Sequence, residues 1–98
     1  MKSFDYQNID DVIHSRIRLA IMSVLVTVEE AEFTYLREKV GATDGNLGMH
    51  LKKLEDAKYI KVRKNFVDRK PVTHYKLTAI GRKAFALYID SLEQLIKP

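Results

Sequence analysis

The segment Thr43-Asp-Gly-Asn-Leu-Gly-Met-His-Leu-Lys-Lys-Leu-Glu-Asp-Ala-Lys-Tyr-Ile60 carries the most structural information in the chain. Leu47, Leu51 and Leu54 recur at spacings of four and three, the mark of a helix with one buried stripe. Thr43 is suited to cap that helix, so the pattern predicts a helix over Asp44 to Ala57. At about 100° per residue, Gly45, Asn46, Met49, Lys52, Lys53 and Asp56 fall on the opposite face. Immediately upstream, Thr34 can cap a shorter helix from Tyr35 to Val40, with Leu36 and Val40 inward. Gly41 suits the left-handed position that closes such a helix. Two apolar-faced helices joined by a short turn containing glycine make a helix-turn-helix candidate.

Downstream the period changes. Ile60 and Val62 alternate with Lys61 and Arg63, which predicts a strand. Val67-Asp68-Arg69-Lys70-Pro71 is a turn, and Thr73, Tyr75 and Leu77 alternate with His74 and Lys76 as the returning strand. Thr78 then caps a last helix with its main stripe on Ala84, Phe85, Tyr88, Leu92 and Leu95. At the other end, residues 1–8 read as a polar arm. A first helix is expected to begin near Asp10 or Asp11, either of which favours the positive end of the helix dipole. Its stripe is Ile13, Ile17, Ala20, Ile21, Val24 and Val28, and it should stop between Thr27 and Glu30. Glu32-Phe33-Thr34 reads as a very short extended segment. The order is therefore three helices, a two-stranded hairpin and a helix. That is a mainly α chain with a small β-hairpin, an α+β class, organised as one domain over residues 1–98.

Composition narrows the function. The chain has no cysteine, which excludes disulfides, thiolate metal sites and cysteine nucleophiles. The N-terminus, Met1-Lys2-Ser3-Phe4-Asp5, lacks the apolar core of a signal peptide, and no apolar run is long enough to span a bilayer. A cytoplasmic protein without a membrane partner is the expectation. The net charge is +4, and eight cations against four acids between Asp44 and Lys70 account for all of it. Charge concentrated in one contiguous third is the footprint of a surface for a polyanion, although a solvated basic hairpin would show the same count.

The outer face of the Asp44–Ala57 helix is small and polar near its start, which permits close approach to a DNA major groove. Asn46 can pair with adenine, Met49 can touch a thymine methyl, and Lys52 and Lys53 can reach phosphates or guanine. An ordinary amphipathic surface helix carries similar residues. Lys61, Arg63 and Lys64 on the hairpin, with Arg69 and Lys70 at its tip, can follow a phosphate backbone or enter a minor groove. Edge strands also carry lysine to avoid aggregation, which explains one or two cations better than five. Enzyme chemistry finds no constellation. Gly45 and Gly48 lie inside a helix rather than in a phosphate loop, and His14, His50 and His74 fall on three different elements. Asp90 and Glu93 share a helix face without a histidine partner.

The segment from Thr43 to Ile60, the basic hairpin, and Tyr75-Lys-Leu-Thr-Ala-Ile-Gly-Arg82 together resemble the winged-helix transcriptional regulators of the broad ArsR/MarR-like group. The closest likeness is to small one-domain members whose hairpin reads like Phe66-Val-Asp-Arg-Lys-Pro-Val-Thr73, and it covers residues 10–96. The resemblance implies a winged helix-turn-helix that binds operator DNA as a homodimer, the helix in the major groove and the wing beside it. The expected DNA surface is Thr43, Asp44, Gly45, Asn46, Met49, His50, Lys52 and Lys53, with Lys61, Arg63, Lys64, Arg69 and Lys70 on the wing. Two departures stand out. Lys58 occupies the place where glycine usually follows the recognition helix, and the Cys or His/Asp clusters of metal-sensing members are absent. No metal or cofactor is therefore expected. A surplus of apolar residues points to the dimer: Leu19, Met22 and Val26 off the stripe of the first helix, and Leu87, Ile89 and Ile96 beside that of the helix over 79–96; with Ile13, Phe85, Tyr88 and Leu92 they make the expected dimer interface. The reading from another class is a winged-helix interaction module whose basic face meets an acidic protein.

Overall fold

A computed structural model describes residues 6–97. After a short 3-10 turn at Tyr6–Asn8, the elements are α1 (Arg16–Leu25), β1 (Ala31–Glu32), α2 (Phe33–Val40), α3 (Asp44–Asp56), β2 (Ile60–Val67), β3 (Lys70–Leu77) and α4 (Ala79–Ile96). The strands form one antiparallel sheet in the order β1-β3-β2. Leu36, Leu47, Leu51 and Leu54 from the helix pair meet Ile21, Met22 and Leu25 of α1 and Ile60, Tyr75 and Leu77 of the sheet in one core. Among the described residues no helix is long and apolar enough to cross a membrane.

α1 begins later than the sequence suggests. Asp10 does not cap a helix. Its Oδ1 accepts the backbone N–H groups of Val12 and Ile13, at 2.8 and 3.1 Å, and so closes a turn. Its Oδ2 accepts the Tyr59 hydroxyl at 2.5 Å. Burial, and then this carboxylate, push the Tyr59 phenol up to about 12. Ser15, extended at φ −152°, takes the cap instead and accepts the Arg18 N–H. Ile13 thus reaches the core from the turn, where it is fully buried.

α2 starts at Phe33 with Glu32 at its N-cap and no side-chain cap bond, so Thr34 does not have the expected role. The pairing of Ala31 and Glu32 with Tyr75 and His74 ends at Glu32, and the helix begins directly after it. The hairpin turn is also tighter than expected. Asp68 and Arg69 alone form it, at φ 51° and 68°, and Val67 already pairs with Lys70. Pro71 therefore lies within β3 opposite Phe66. That pair follows the hydrogen-bonded closing pair, so alternation leaves the proline nitrogen without a ladder bond to make.

α3 is capped as its sequence predicts: Thr43 Oγ1 accepts the Asn46 N–H at 3.2 Å. At its other end Lys58 adopts φ 69°. The Tyr59 N–H reaches Leu54 O, and the Lys58 N–H reaches Glu55 O, which is the Schellman closure. A lysine here bears the left-handed penalty that glycine avoids. Lys58→Gly is expected to stabilise the fold by about 1 kcal/mol. A denaturant midpoint that falls, with an unchanged slope, would contradict this reading of the cap.

Candidate nucleic-acid interface

α3 packs Leu47, Leu51 and Leu54 inward and leaves Gly45, Asn46, Lys52, Lys53 and Asp56 exposed, with Met49 at 50% exposure. An unbranched apolar side chain half in water, beside two glycines, gives the outer surface a low profile. Asp44 does not present a free charge, because its carboxylate meets Arg37 Nη1 of α2 at 3.0 Å. That pair ties α2 to the first turn of α3 and offsets the one acid there. Lys52 is paired with Asp56 at 2.9 Å, and the hydrogen bond to that carboxylate raises its pKa. Among the described residues Lys53 makes no ion pair.

The strand register divides the wing cations. Ile60–Leu77 and Val62–Tyr75 face the core, and the same face continues outward through Lys64–Thr73 and Phe66–Pro71. Lys61 and Arg63 lie on the other face, opposite Lys76 and His74. Arg63 reaches across to Glu30 at 2.6 Å, and this hydrogen bond holds the Glu30 carboxyl below its ordinary range. Arg63 is thus committed to closing the sheet on the side away from the core. Lys64 on the core-side face, and Arg69 and Lys70 at the tip, are exposed and make no ion pair among the described residues. Phe66, on the same face as Lys64, is 73% exposed beside them.

The dimer candidates also divide. Ile13, Met22 and Tyr88 lie inside this chain's own core and have no surface for a second copy. Met22 was expected off the buried stripe. α1 packs against α2, α3 and β3, so its buried face is wider than a single row. Tyr88 reaches back to His14, its hydroxyl 2.9 Å from Nδ1, and so anchors α4 on the segment before α1. Leu19, Val26, Phe85 and Leu92 are partly buried against the core. Leu87, Ile89 and Ile96 remain exposed.

A family of winged helix DNA-binding domains matches residues 17–96. The chain belongs to that family. An uncharacterized protein of Methanocaldococcus jannaschii is 41% identical over 86 residues, 88% of this chain and 94% of its own length. The fold is similar to that of a transcriptional regulator homologue from Pyrococcus horikoshii OT3, with TM-score 0.81 and 29% identity over 87% of this chain and 84% of that one. It is also similar to Bordetella bronchiseptica BpsR, whose DNA binding is regulated by 6-hydroxynicotinic acid. There the TM-score is 0.73 and the identity 17%, over 94% of this chain and 69% of that one, a likeness of fold. In winged-helix terms α2 and α3 are the helix-turn-helix, and β2 and β3 are the wing. This winged helix has the fold of transcriptional regulators, and its family binds DNA.

Proposed function

We propose that the chain is a transcriptional regulator that binds double-stranded DNA sequence-specifically as a homodimer. α3 enters the major groove, and the wing lies on the backbone or in the minor groove. The observation that carries this reading is the unobstructed outer face of α3, where Asn46, Met49 and Lys53 point away from three buried leucines. Lys64, Arg69 and Lys70 on the wing, without an ion pair among the described residues, support it electrostatically. Removing the charges of Arg69 and Lys70 together should weaken binding to all duplexes alike. It should flatten the slope of log affinity against log salt by about 0.9 per lost phosphate contact. A double variant that keeps the parental slope removes the wing from the backbone. A parent that ignores duplex DNA and binds an acidic protein would replace the whole reading by the interaction module.

The exposed apolar face of α4 supports the homodimer in this reading. Of its 18 residues only Gly81 and Tyr88 are buried, while Leu87, Ile89 and Ile96 stand in water. A two-fold dimer covers such a patch and can hold two recognition helices about 34 Å apart, for half-sites about 10 base pairs apart or a multiple of that. Sedimentation of the DNA-free protein at micromolar concentration should show a dimer, and a Leu87→Glu variant should shift toward monomer. A monomeric parent would overturn this arrangement.

A further inference from the structure

His50 lies on the flank of α3, one turn after Asn46 and one before Lys53, half-buried against α1. Its Nδ1 is 2.7 Å from Arg18 Nη1. The Arg18 guanidinium is itself held in place, because its Nε donates to Val12 O. A guanidinium has donors only, so the imidazole nitrogen facing it must be the acceptor. The proton of the neutral ring is then on Nε2. That atom makes no hydrogen bond among the described residues and is not buried.

Resting on the DNA reading above, we infer that Arg18 is a positioning residue. It locks His50 as a neutral Nε2–H donor that gives one uncharged hydrogen bond to an acceptor on the bound duplex. The acceptor is a phosphate oxygen or the N7/O6 edge of guanine, both of which take a single N–H. The chemistry differs from that of the neighbouring lysines. A neutral donor releases no counterion, so it adds affinity without adding to the salt slope. The charges acting on the ring are Arg18 from α1 and Lys53 from its own helix, both positive. Burial, then Arg18, then Lys53 lower its pKa, so protonation does not disturb the lock in the neutral range.

The test has one readout without DNA and one with it. In the free protein, nitrogen NMR of the histidine rings should show His50 as a single Nε2–H tautomer with a pKa below the ordinary histidine range. Arg18→Met should give a mixture of tautomers and a raised pKa. A parental Nδ1–H form, or an Arg18→Met spectrum like the parent's, overturns the lock. On a preferred duplex, His50→Leu should lose about tenfold in affinity with the salt slope unchanged, and His50→Gln, which keeps a donor near Nε2, should recover most of it. Duplexes with single methylphosphonates or 7-deazaguanines identify the acceptor by which replacement abolishes the difference between parent and His50→Leu. Equal affinity of parent and His50→Leu overturns the contact. A parent that binds no duplex overturns the DNA reading instead, and the tautomer measurement still decides the lock.

Discussion

Gly81→Ala should lower the unfolding free energy by about 3 kcal/mol, a loss at the upper end of what overpacking usually costs. A Cβ at Gly81 would lie 2.0 Å from Tyr59 O and under 3 Å from two further backbone atoms. Neither partner can yield cheaply. Tyr59 O already accepts the Thr78 N–H at 3.0 Å, and Thr78 Oγ1 caps α4 through the Gly81 N–H at 2.9 Å. The Thr78 hydroxyl also lies 2.7 Å from Lys58 O, so the end of α3, the start of β2 and the start of α4 meet at this one point. For a chain of this size the melting temperature should fall by roughly 4–8 °C per kcal/mol, at fixed protein concentration. Gly48→Ala is the control. It lies in the interior of α3 with nothing within 4 Å of the added Cβ, and there alanine should stabilise by up to about 1 kcal/mol. If the two variants melt alike, the close approach of α4 to Tyr59 is not a constraint on the fold.

The second large effect is expected at Asn46. Its side chain is exposed, while its backbone N–H is fixed by Thr43 at the first turn of α3. A side chain carried by a capped helix end, with the opposite face anchored by Leu47, has a defined direction of approach to a groove. Asn46→Ala should cost about 1–3 kcal/mol on the preferred duplex and relax its preference at one base pair. Affinities across a panel of single-base variants measure this. A uniform loss at every variant would place Asn46 on the backbone, and an unchanged panel would remove it from the interface. Folding should be unaffected, which a parallel thermal melt checks.

The local chemistry of several residues was enough to predict their structure. Leu47, Leu51 and Leu54 set the buried side of α3, and with it the exposed side. Thr43 and Thr78 cap the helices that follow them, and Gly41 closes α2 at φ 73°. Each of these depends on contacts within a few residues, so period and capping chemistry are sufficient to read them.

Tertiary structure decided what depends on distant partners. Asp10 and Ser15 are both able to cap α1. Ser15 does so because the Asp10 carboxylate is engaged by its own turn and by the Tyr59 hydroxyl, 49 residues away. Glu32 rather than Thr34 precedes α2, directly after its strand pairing with His74 ends. The wing cations look equivalent in sequence. The register places Arg63 against Glu30 and leaves Lys64 on the core-side face, a distinction that only strand alternation and a long-range acid can make. Arg18 carried no signal at all, since a single arginine on the polar side of a helix is ordinary. Its role against His50 exists only because α1 crosses α3 at that height. The apolar surplus was visible as composition, but which of those residues are spare was not. Met22 and Tyr88 go into the core while Leu87 and Ile96 stay in water, because burial is set by what else reaches a residue and not by its own hydrophobicity.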